Sequence, residues 1–312
     1  MRDEPARATR RALLLAILLV ASALIAERPA RAQERLSVVT TTNDLRSLAE
    51  AVGGERVAVT ALVPPGFDPE EYQPRPQDMA RVRQARAVVR VGLDFDLWLD
   101  RLLAQVGGNV RRGAAGYIDA SLGIATLDVR GMSIGDAHGH GSGNPHYWLD
   151  PRNAEIITAN ILAALVGIDP ENTAIYEANR LAFLARLEPK IKEWEDRLAA
   201  LRGVSLVAYH NSWPYFARRF RLDFIGTVEP KPGVPPSPSH LASLIGTMNA
   251  RGARIIVRQP HEPEKDVGFV AKHTGSVVAV LASSVGALPG ADDYFSLFDA
   301  NVAALRAAAG VR

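Results

Sequence analysis

Short β-branched apolar runs alternate with stretches of helical periodicity along most of the chain. In the first half "LSVVTTT" (36–42), "RVAVTALV" (56–63) and "AVVRVG" (87–92) read as strands. In the second half "SLVAYH" (205–210), "DFIGTV" (223–228), "RIIVRQ" (254–259) and "SVVAVLA" (276–282) do the same. The intervening "NDLRSLAEAVGG" and "EKDVGFVAKHTG" space apolar residues three and four apart and end on glycine, as amphipathic helices do. Strand–helix alternation predicts parallel sheets and an α/β chain.

Between the halves lies "PENTAIYEANRLAFLARLEPKIKEWEDRLAALRG" (170–203). Ile175, Ala178, Leu181, Leu184, Leu187 and Ile191 predict one apolar helix face, with a disturbance or kink at Pro189. Roughly 30 helical residues at about 1.5 Å each span about 45 Å, enough to run along two lobes and join them. The expected organisation is an N-terminal lobe over 33–169, a linking helix over 170–203 and a C-terminal lobe over 204–312, each lobe with its own core.

The first residues change how composition is read. Arg7, Arg10 and Arg11 precede the apolar run "ALLLAILLVASALIA" (12–26), and "ARA" (30–32) follows it. That order predicts a secretory signal over residues 1–32, cleaved on export. The segment holds six of the 36 basic residues and three of the 34 acids, leaving 30 and 31. The pI of 9.0 therefore says little about the exported chain. No basic stripe with interleaved aromatics points to nucleic acid. The chain has no cysteine, which rules out a disulfide framework and leaves no cysteine to carry a lipid anchor. An unlipidated monomer in the periplasm is the expectation.

In parallel sheets, ligands bind beyond the carboxyl ends of the strands, so polar groups just after strands are the candidates. Glu70 and Glu71 sit in "PPGFDPEEYQPRPQD" (64–78), which five prolines stiffen into a loop. His146 in "NPHYWLDP" is flanked by proline and two aromatics, whereas His138 and His140 in "DAHGHGSG" sit among glycines that leave the backbone free. His210 closes a strand in "SLVAYHNSWPYFARRF", where Asn211 or Ser212 could cap the next helix, and His261 in "RQPHEPEK" follows another strand. No HExxH, G-x-S-x-G, Walker loop or cysteine nucleophile is present.

These segments together resemble the zinc- and manganese-binding proteins of bacterial ABC importers. "GFDPEEYQPRPQD" is similar to the family's G-x-D-P-H-x-Y-x-P-x-P-x-D loop and "NPHYWLDP" to its N-P-H-x-W-x-D-P segment. "YHNSWPYFARRF" and "EPKPGVPPSPSHLASL" are similar to two further family segments in the same order. The resemblance implies two (β/α) lobes joined by one long helix, a metal site in the cleft, and a membrane permease with its ATPase as partners. It implies His146 and His210 as ligands, Glu70 where the family has histidine, and Ala282 of "VLASS" where the family has aspartate. Water, His261, Glu229 or a second oxygen of Glu70 could take the vacant fourth position, and His261 is chosen here. His240 and His273 are read as structural, and His138 and His140 fall where zinc-specific members carry a histidine-rich loop. Zn2+ is the expected cargo, with Mn2+ or Fe2+ as alternatives because a carboxylate suits harder ions. A zinc hydrolase using a Glu/His/His site and a surface adhesin are the rival functions.

Overall fold

The computed structural model describes residues 35–127 and 143–311. The N-terminal half runs β1 (Leu36–Thr40), α1 (Asn43–Gly53), β2 (Val57–Ala61), α2 (Pro76–Gln84), β3 (Ala87–Arg90), α3 (Trp98–Leu103), β4 (Tyr117–Asp119) and α4 (Ala154–Ile168). Helix α5 (Thr173–Arg197) crosses to the second half. There follow β5 (Ser205–Ala208), α6 (Pro214–Phe220), β6 (Asp223–Thr227), α7 (Pro238–Arg251), β7 (Ile255–Arg258), α8 (Glu264–Thr274), β8 (Val277–Val280) and α9 (Tyr294–Ala308). The strands form two parallel sheets, ordered β2-β1-β3-β4 and β6-β5-β7-β8. The two-lobed α/β architecture expected from the strand pattern is what the structure shows. Each strand read from the sequence contains an observed one. The three-residue β4 is too short to produce a period-two signal.

Helix starts follow local chemistry. Thr42 caps α1 by accepting from the Leu45 N–H, Ser237 caps α7 through the His240 N–H, and proline opens α2, α6 and α7. The expected cap of α6 by Asn211 or Ser212 is not made. Trp213 occupies that position without a side-chain bond, because the Ser212 hydroxyl instead accepts from Gln259.

The linking helix differs from expectation in length and in face. It covers 25 residues, about 37 Å, since 170–172 and 199–201 form separate 3-10 turns. It continues through Pro189. Its buried residues are Tyr176, Phe183, Leu187, Ile191 and Trp194, while Ile175 and Leu181 are 36% and 65% exposed. The aromatic side packs against α1, α4 and α9, and this larger apolar surface outweighs the aliphatic series that defined the expected face. Among the partners, Trp194 stacks on Phe298 with ring centroids 4.9 Å apart.

One core runs through both lobes. Val38 and Val89 of the first sheet, Leu206 and Val257 of the second, Leu187 and Ile191 of α5 and Phe298 of α9 all belong to it. Each lobe adds a smaller core on the outer face of its sheet, around Val88 and Leu99 in the first and Val207 and Ile256 in the second. Polar ties reinforce this junction. Asp44 at the start of α1 accepts from the Ser284 hydroxyl at 2.7 Å and the Val285 N–H at 3.0 Å. Burial pushes the Asp44 carboxyl up to about 6 against the lowering effect of those bonds.

Candidate metal site

Cavity-facing groups converge where the carboxyl ends of both sheets meet. The proline loop after β2 is pinned on both flanks of Glu70. The Glu70 N–H donates to Asp68 Oδ1 at 2.8 Å, and Trp98 Nε1 donates to the Pro69 carbonyl at 3.1 Å. Further along, the Tyr72 hydroxyl and Arg75 N–H both donate to Asp78 Oδ2 at the start of α2. A carboxylate on so constrained a loop loses little entropy on binding.

His146 is held by its neighbours. Its backbone N–H and its Nδ1 both face Asn144 Oδ1, at 3.0 and 3.2 Å. An amide oxygen only accepts, so Nδ1 donates to it and Nε2 faces Glu70. Phe95 and Trp148 pack on the ring with centroids 5.4 and 5.3 Å away. Trp148 is fixed in turn by donating from Nε1 to the Ser283 carbonyl of the other lobe.

His210 follows β5 and is oriented by charge. Its Nδ1 lies 2.6 Å from Glu229 Oε2, and the other Glu229 oxygen accepts from the Gly233 N–H at 2.7 Å. Burial alone would lower the imidazole, but hydrogen bonds and charge from Glu229 and Glu70 outweigh it and raise it to about 10. An incoming cation must therefore displace a proton from His210.

Ligand atoms of Glu70, His146 and His210 lie within 4.8 Å of one another. Glu70 Oε1 is 3.3 Å from His146 Nε2 and 3.5 Å from His210 Nε2. A tetrahedral ion with bonds of about 2.0–2.2 Å has donor–donor edges of about 3.3–3.6 Å, so those two edges suit an ion such as zinc.

The expected fourth ligand does not join them. His261 lines the same cavity but stands outside the three-residue group, with its Nε2 3.9 Å from Asp68 Oδ2. The turn after β7 explains the placement. Glu262 folds back so that its carboxylate accepts from the Gln259 N–H and Nε2, which sets His261 at the rim. Burial lowers the His261 imidazole and raises the Glu262 carboxyl to about 7. Glu229, another candidate for the vacancy, is committed behind His210. Ala282 is buried, its peptide N–H and carbonyl both bonded to Asn301 of α9. Ser283, the next residue, reaches the cavity and bonds through its hydroxyl to Gln259 Oε1.

His240 Nε2 meets the Thr227 carbonyl and His273 Nδ1 the Phe269 carbonyl, both away from the cavity-facing group. His138 and His140, like the expected signal over 1–32, lie outside the described residues. Sequence reasoning missed Asn144 and Glu229 as the groups that orient the two histidines. A polar residue beside N-P-H and a carboxylate just beyond the strand next to β5 were the available signals.

Residues 38–308 match the family model described as zinc-uptake complex component A, periplasmic (ZnuA). The chain belongs to this family. A putative metal-binding protein of Treponema pallidum is 29% identical over 286 residues, covering 86% of this chain and 87% of the relative. The manganese ABC transporter substrate-binding lipoprotein PsaA of Streptococcus pneumoniae is 27% identical over 137 residues, covering 43% of this chain and 42% of the relative. Among solved structures, a zinc-bound ZnuA lacking residues 138–173 of its own numbering is 30% identical with a TM-score of 0.75, covering 88% of this chain and 98% of that one. The chain is thus a metal-binding solute receptor of the ZnuA type, a component of ABC importers.

Proposed function

We propose that this receptor captures one zinc ion in the periplasm, holds it with Glu70, His146 and His210, and passes it to a membrane permease coupled to an ATPase. The observation that carries the reading is the convergence of three donor atoms from both lobes, with two edges at tetrahedral spacing. Glu70 and His146 come from the N-terminal lobe and His210 from the C-terminal lobe, so the ion bridges the cleft. Asn144 and Glu229 orient the imidazoles, as partners behind metal-bound histidines generally do. Two imidazoles favour zinc over manganese, while the carboxylate in the first position shifts the set toward harder ions. Capture and release need no catalytic base.

The test is metal analysis of the protein purified from the periplasm without added metal. About one equivalent of zinc per chain is expected. Manganese or iron in its place would overturn the zinc assignment, and failure to bind any divalent ion on titration would overturn the receptor reading.

A further inference from the structure

The three donors line part of a larger cavity. The cavity they face has a volume of about 740 Å³. A water molecule occupies about 30 Å³, and pockets for small organic ligands run from about 300 to 1,000 Å³. Completing the coordination of a bare ion with one to three waters would use a small fraction of this space. Leu281, Ala282 and Ser283 after β8 carry no carboxylate, and the Ala282 peptide is bonded to Asn301 and Ser283 to Gln259.

The rest of the lining has a definite chemistry. Asp68 and Glu71 contribute carboxylates, those of Glu229 and Glu262 are bonded to His210 and Gly233 and to Gln259, and none of the described lining residues is lysine or arginine. Phe67, 61% exposed, stands at one side of the mouth, with Pro232 and Pro235 also on the cavity wall. Glu71 Oε1 approaches Gly233 of the opposite lobe closely enough to lie 3.9 Å from where a Cβ would stand. An acceptor-rich wall without fixed cations disfavours an anionic chelator and favours one that presents ammonium or N–H groups. An exposed aromatic face suits a cation or a planar ring.

We infer that the cavity binds the metal together with a small amine- or imidazole-bearing chelator, whose donors join Glu70, His146 and His210 around the ion. The inference rests on the metal-receptor reading. Free L-histidine, with one amine and one imidazole, is the simplest probe of that class, and citrate is the anionic contrast.

Native mass spectrometry and calorimetry on the exported protein test it, using zinc alone, zinc with L-histidine, and zinc with citrate. A species holding one zinc and one histidine is expected, with saturable uptake of histidine by the zinc-loaded protein and no such species with citrate. Phe67→Ala combined with Glu71→Gln should weaken histidine uptake at least about fivefold while changing the affinity for zinc alone by less than about twofold. Zinc binding without histidine uptake, or equal uptake of citrate, overturns this inference and leaves the receptor reading standing. Absence of zinc binding by the wild-type protein overturns both.

Discussion

The two lobes are wound alike and equipped differently. Both sheets place the first strand second in order, between the second and third strands of their lobe. In the N-terminal lobe the residues after β1 go to the junction, where Asp44 reaches Ser284 and Val285. In the C-terminal lobe the corresponding strand, β5, is followed by His210, which faces the cavity. After β2 comes the inward-facing Glu70, whereas after β6 comes Glu229, which is bonded to His210. The second histidine of the site, His146, comes from the chain between β4 and α4. Shared topology fixes where strand ends meet, and the residue carried at each end decides which is a ligand, a support or a tie.

The lobes should therefore respond unequally to substitution. His146→Ala and His210→Ala, one from each lobe, are expected to weaken zinc binding at least about tenfold each, or about 1.4 kcal/mol, as measured by competition with a fluorescent chelator. Next in size are the supports. Glu229→Gln removes a charged partner of His210 and Asn144→Ala a neutral partner of His146, so the first should cost more, within the roughly 10- to 100-fold span typical of such groups. Equal losses would mean that charge behind His210 adds nothing.

The acidity of His210 gives a further test. His210 is raised to about 10, so zinc must compete with its proton, and affinity should fall by up to about tenfold per pH unit on acidification below neutrality. Metal-free stability runs the opposite way. The contribution of His210 is fully present below its ordinary value of 6.5 and is lost as pH rises through about 10. Glu229→Gln should flatten both trends, which zinc titrations and urea unfolding at several pH values would measure.

The smallest effects on metal should come from the junction and the outer loop. Asp44→Ala leaves the Ser284 hydroxyl and Val285 N–H without their acceptor, so unfolding should become easier by about 1–3 kcal/mol in urea. Zinc affinity should change little, because Asp44 lies outside the donor group. Glu71→Ala should be nearly silent toward zinc alone.

Much of this arrangement was legible in the chain. The β-branched runs marked every strand of the two sheets except β4, because strands buried on both faces read as short apolar blocks. The proline spacing around Glu70 and the packing of His146 beside Trp148 also pointed to preorganised groups. Longer-range choices were hidden. Leu181 and Phe183 both fit a helical period, and only the neighbours of α5 decide that Phe183 is covered. His261 follows a strand as His210 does, but the turn closed by Glu262 and Gln259 holds it at the rim. Asn301 seals the Ala282 peptide from 19 residues away, a pairing that strand and helix patterns do not encode.

The central claim is that one carboxylate and two imidazoles from both lobes hold the ion. A crystal structure of the zinc-loaded protein tests it most directly. Zinc bonded to a Glu70 oxygen, His146 Nε2 and His210 Nε2 at about 2.0–2.2 Å is the predicted result. Zinc coordinated with Glu70 outside its bonding sphere, or held by His261 in place of His146 or His210, would contradict it.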